Sequence, residues 1–192
     1  KRNLCRDLRE TLTTVVEAGE SRRAQANLFE HMTSTQSQFS LAYDAAAQRA
    51  FVSYCQDALT MMGICGEALT LQIGMALHEA LTNAVEHGNL ELPSELREAD
   101  DGSYEALREK RRQEPPYCDR RVYVEAFVSR SEARYVIRDE GHGFDPSLLP
   151  DPTDPENLLR SSGRGVLLMH AFMEDVTFNE KGNEVTLVKR RS

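Results

Sequence analysis

The chain has 192 residues, 40% hydrophobic and 28% charged, with a formal net charge of −8. This length supports one sizeable core with an appended segment, and the acidic balance repels nucleic acid, whose binding begins with clustered Lys and Arg against phosphates. No apolar run approaches the roughly 18 residues of a membrane span, so neither nucleic acid nor membrane insertion is expected.

From residue 4 to 16, Leu4, Leu8, Leu12 and Val15 or Val16 recur at helical spacing among Arg, Asp and Glu, a narrow stripe that suits a coiled-coil or signalling linker as well as a helix packed on its own domain. The chain starts inside this run without Met or a signal segment, and Cys5, Cys55, Cys65 and Cys118 lack CxxC spacing. A reduced cytoplasmic protein cut from a longer chain is the expectation. Residues 1–31 are read as a linker, signalling or dimerisation segment and 32–192 as the globular domain.

Within that domain, residues 37–43 alternate polar and apolar as a strand does. Asp44 then offers an N-cap to an Ala-rich helix over 45–62, ended at Gly63. A second helix is expected from 67 to 87, stopping at Gly88. Residues 95–121 are mostly charged, contain Pro115-Pro116 and give only a short helical hint at 104–112; they read as a surface insertion, at about 91–120. Strands follow at 121–128 and 133–139 across a polar turn. A Pro-containing loop, a helix over 165–173 and a hairpin of strands at 175–179 and 184–189 complete the domain. The order β-α-α-β-β-loop-α-β-β predicts an α+β fold, a two-layer sandwich whose mixed, mainly antiparallel sheet is covered on one face by helices.

Three short patterns carry chemistry. On the second helix Glu79, Asn83 and His87 are spaced i, i+4, i+8 and project from one face. Asn83 offers a neutral oxygen to Mg²⁺ and Glu79 can accept a proton from an attacking hydroxyl; a solvated helix face would look the same. Asp139-Glu-Gly-His-Gly-Phe follows a strand, and Gly141 and Gly143 let the backbone approach a flat ligand while Asp139 offers an acceptor to an exocyclic amine. Gly163-Arg-Gly opens a helix, where free N–H groups favour phosphate oxygens, and the loop over 144–162 could close as a lid. Neither a Walker P-loop nor a Rossmann fingerprint is present. His78 and His170 read as helix-surface or satisfied core histidines, His142 as solvent-facing, and Met61-Met62 as packing.

In this order the three patterns resemble the N, G1 and G2 boxes of the Bergerat-fold ATPases. The run Ala76-Leu-His-Glu-Ala-Leu-Thr-Asn-Ala-Val-Glu-His-Gly looks most like the anti-sigma factor serine/threonine kinases of bacteria, and Val136–Phe144 and Gly163–Val176 extend the likeness. The resemblance implies ATP and Mg²⁺ as cofactors, with Glu79 as general base and Asn83 as metal ligand. It further implies Asp139 as adenine anchor, and Gly141, Gly143, Phe144, His87, Gly163, Gly165 and Val166 around the nucleotide. Where the family's lid often ends with an arginine just before the Ser-Gly of its G2 box this chain has Ser161, which shifts the γ-phosphate contact to Arg160 or Arg164. Where the last hairpin usually carries Gly-Thr it has Gly182-Asn183, so Asn183 takes the place of the adenine-holding hydroxyl.

The resemblance also implies a partner-switching role, with an anti-anti-sigma-like antagonist or a sigma factor as protein partner, a possible homodimer and a fused upstream sensor or receiver domain. Two other functions stay open: an ATP-ordered switch without phosphotransfer, and the catalytic half of a histidine kinase. The last needs a phosphoacceptor histidine on a preceding hairpin, a context that His31 lacks.

Overall fold

A computed structural model describes residues 28, 30–99, 101–149 and 164–191. The chain divides into two compact units, Lys1–Thr33 and Ser34–Ser192. The helix expected over 4–16 lies outside the described residues, and the second unit holds the fold.

Strand β1 (Ser34–Leu41) begins ahead of the expected 37 because its whole length pairs with β2 (Val122–Ser129), from Ser34 opposite Ser129 to Leu41 opposite Val122. Helix α1 (Ala45–Met62) has the expected ends: Asp44 Oδ1 accepts the Ala46 N–H at 2.8 Å, and Gly63 closes the helix in the left-handed region at φ 65°. Helix α2 (Glu67–Asn83) does not run on as an α-helix to His87. From Ala84 to Asn89 it widens into a π-helical segment, in which Leu90 N–H reaches back to Val85 O at 2.8 Å. Such wide turns are rare and concentrate at functional sites.

The charged stretch after this segment is more ordered than its composition predicts. It forms helices α3 (Ser94–Ala99) and α4 (Ser103–Arg111), and it is tied to the domain by Tyr104, which is buried and donates its hydroxyl to buried Glu86 Oε2 at 2.8 Å. Strand β3 (Glu132–Arg138), helix α5 (Arg164–Phe172), β4 (Asp175–Phe178) and β5 (Glu184–Arg190) follow.

The sheet order is β1-β2-β3-β5-β4 and every pairing is antiparallel. The crossover from β3 through α5 lands β4 one position away, and β5 returns into the gap, so no parallel pair forms. Along β2, buried Val122, Val124, Ala126 and Val128 alternate with less buried residues, the period-2 signature of a sheet covered on one face. Against that face α1 contributes Phe51 and Leu59, and α2 contributes Ile73, Leu77 and Leu81. Each such side chain stabilises the fold by roughly 1.5–3 kcal/mol. Helix α2 lies between the other two, packing on α1 and on α5. The α+β sandwich is as expected, and Cys55, Cys65 and Cys118 are free thiols, with Cys55 deep in the core.

Candidate functional site

A cavity of about 1150 Å³ opens at the end of the sandwich where α2 gives way to its π segment and where β3 and the β4–β5 hairpin end. Glu79 and Asn83 line one side of it, both half-buried, and the first turn of α5 backs onto them. A Cβ at Gly165 would lie 2.7 Å from Glu79 Oε2 and 3.5 Å from Asn83 Nδ2. Two patterns separated by about eighty residues of sequence therefore meet at one point. Val166 lines the same wall. Gly163 and Arg160 lie outside the described residues, as do the Arg164 side chain and residues 150–162 of the expected lid.

His87 also lines the cavity, but the widened turns after Ala84 break the four-residue repeat that put it in line with Glu79 and Asn83. Its Nδ1 is committed to Leu92 O at 2.8 Å.

The opposite side is built around Asp139, which is only 7% exposed. Its N–H donates to Asn183 O at 3.0 Å, and its Oδ1 accepts the Gly141 N–H at 2.8 Å. Burial pushes its carboxyl up from the ordinary 3.8 to about 6, against the opposing pull of the Gly141 N–H and the Lys181 charge. The fit is close. A Cβ at Gly88 would lie 2.5 and 2.6 Å from the two carboxylate oxygens, and one at Gly141 would run into Gly88 O. Gly88, read from sequence as a helix stop, instead sits inside the π segment and leaves room for Asp139.

Asn183 stands beside Asp139, with its amide spent on the protein. Its Nδ2 donates to Asp139 O at 2.9 Å, and its Oδ1 accepts from Asn179 Nδ2 at 3.0 Å. The hairpin presses on the Gly-rich loop in both directions: Gly143, at φ 78°, would meet Lys181 O if it carried a Cβ, and Gly182, at φ 71°, would meet Phe144 O. Only glycine takes up both the left-handed backbone and the close approach. Phe144 lines the cavity and packs edge-on against Phe178, ring centroids 5.3 Å apart. Lys181 reaches the loop as well, its Nζ donating to Gly141 O at 3.1 Å.

A buried acceptor with a flat glycine floor at one end, and a carboxylate and an amide under a helix start at the other, suit a purine triphosphate. A model of the histidine kinase-like ATPase domain matches residues 40–189, from the end of β1 to the end of β5. The chain belongs to that family. None of the curated proteins compared with it matches. A histidine kinase-like ATPase domain is one that binds ATP. Reading the sequence alone overlooks Gly88, Asn89, Glu91 and Lys181. Gly88 has a visible signal, which reads as a helix stop. Asn89 ends the π segment, and Glu91 and Lys181 lie in connecting turns; none of the three has a local pattern, and they reach the site only through folding. His142 is largely solvent-facing, as expected, yet its Nδ1 pairs with Glu91 Oε1 at 3.1 Å. Among the described residues no helix is long and apolar enough to cross a membrane.

Proposed function

We propose that this domain is a Mg-ATP-dependent protein kinase of the anti-sigma factor type, which transfers the γ-phosphate to a Ser or Thr hydroxyl of an antagonist protein. One observation supports this above the others: Glu79 stands beside Asn83 at the start of α5, half-buried and next to the cavity. In this reading Asp139 accepts a hydrogen bond from the adenine amine, the Gly141 and Gly143 backbone lies against the ring, and N–H groups at the start of α5 receive phosphate oxygens.

Asn83 would hold Mg²⁺ through its amide oxygen. Among the described residues no three His, Cys, Asp or Glu side chains converge on a metal, which suits an ion that arrives with the phosphates. Bound there, Mg²⁺ would neutralise charge on the phosphate oxygens. Glu79 accepts the proton of the attacking hydroxyl as its oxygen bonds to the γ-phosphorus, and the bond to the β-phosphate oxygen breaks with its electrons leaving on ADP. The protein partner would be an anti-anti-sigma-like antagonist.

The test is transfer of label from [γ-³²P]ATP to such antagonists. The expected result is acid-stable Ser or Thr phosphate with the wild type, and little with Glu79→Gln. Tight ATP binding without any product would favour a nucleotide-ordered switch, and label recovered on histidine would favour a histidine kinase.

A further inference from the structure

The charged stretch between the π segment and β2 is joined to the Gly-rich loop by contacts for which ATP binding as described has no use. Arg111 Nη1 donates to Leu90 O at 2.7 Å and also to Glu91 O. Arg120, the last residue but one before β2, donates from Nη1 to Asn89 O at 2.8 Å and to Glu91 Oε1 at 2.9 Å. The same Glu91 oxygen meets His142 Nδ1 at 3.1 Å, and His142 sits between Gly141 and Gly143. A parallel link runs alongside: Asn89 Oδ1 accepts the Glu140 N–H at 2.8 Å.

The backbone of Glu91 makes this arrangement informative. It is the one non-glycine residue with positive φ among those described, at 49°, where a Cβ crowds the neighbouring carbonyl. Glycine would occupy the turn without that cost. A strained side chain persists where the surroundings use it, and here the use is visible: the Glu91 side chain is 20% exposed and that of Arg120 18%, whereas the His142 side chain they hold is 72% exposed. Two sheltered groups hold one exposed group. Partial burial works against the charge on Glu91, but the hydrogen bonds from His142 and Arg120 outweigh it and keep its carboxyl below the ordinary carboxylate range.

We infer that Glu91 is a positioning residue whose carboxylate, anchored by Arg120 at the end of the insertion, holds His142 and so sets the Gly-rich loop to receive the nucleotide base. The inference rests on the cavity being an ATP site, and it makes the insertion a brace on the base half of that site.

Glu91→Gly tests it, because this change removes the carboxylate while relieving the backbone; Glu91→Gln restores length and an acceptor oxygen. Thermal unfolding and calorimetric binding of ATP and of adenosine are measured on both. Expected for Glu91→Gly is unfolding at the wild-type temperature or above, with both ligands bound about tenfold more weakly. Glu91→Gln should recover part of that loss, and His142→Ala added to Glu91→Gly should cost nothing further. Wild-type affinity in Glu91→Gly overturns the inference. So does a loss confined to ATP, which places the effect at the phosphates, or a loss that tracks falling stability and that Glu91→Gln does not repair. Failure of the wild type to bind ATP would instead remove the reading on which the inference rests.

Discussion

The two ends of the cavity are built differently. At the end proposed to take the base, Asp139 is almost fully buried and its surroundings leave no slack, with Gly88, Gly141 and the Asn183 amide all packed against it. At the end proposed for the phosphates, Glu79 and Asn83 are half-exposed on one helix face, with the start of α5 beside them. A rigid base pocket costs no reorganisation when a ligand arrives. On the proposed function, a half-open end at Glu79 leaves room for an acceptor hydroxyl to enter. On that reading the contrast separates recognition from chemistry along a single cavity, so damage to one end should leave the other readable.

Glu79→Gln gives the sharpest separation. Phosphotransfer is expected to fall by about 10²–10⁴-fold, the range for losing a general base, while ATP affinity by calorimetry stays at the wild-type value. Equal losses in both would end the division of labour. Next comes Gly88→Ala, which forces a Cβ onto the Asp139 carboxylate. ATP affinity should drop by about 100-fold, even though alanine is the better helix former by up to about 1 kcal/mol. Calorimetry and thermal unfolding should then move apart.

Asn183→Ala removes the amide that bonds Asp139 O and Asn179. Its expected effect is about tenfold on ATP affinity, with a fall in unfolding temperature because the buried Asp139 carbonyl and the half-buried Asn179 amide each lose a bond. The smallest effect is on pH. A carboxyl raised from 3.8 to about 6 in the fold binds its proton more tightly there than in the unfolded chain. Its contribution to stability of the ATP-free protein is therefore full below pH 3.8 and is lost as pH rises through about 6. Binding runs the other way, since the adenine amine needs the ionised acceptor. ATP affinity should be about fourfold weaker at pH 5.5 than at 7.5, and Asp139→Asn should flatten that profile along with weakening binding.

Much of this architecture is legible in the chain itself. Asp44 and Gly63 mark both ends of α1, and alternation locates β2 and β3. The strings around Glu79, Asp139 and Gly163 show their chemistry because each is local, a few residues on one turn or one helix face. Other features have no local signature. Nothing in Ala84–Asn89 announces a π segment, in which Glu86 bonds to Tyr104 and Asn89 to Arg120 and Glu140. The stretch over 95–121 reads as solvated charge, yet Arg108, Arg111 and Arg120 are bound to Glu86 and to the end of the π segment. A charge run in sequence carries no record of which carbonyl or carboxylate it will meet.

By itself, then, the sequence determined the order of the main elements, a mainly antiparallel sheet under its helices and the residue types available for ATP, because periodicity and short motifs are properties of neighbours in the chain; that every pairing is antiparallel came from the fold. Only the tertiary structure decided that Gly88 makes room for Asp139, that Asn183 spends its amide on the protein, and that the insertion reaches the nucleotide loop through Glu91. Those are relations of distance between residues far apart in sequence, and packing and hydrogen bonding in the fold set them.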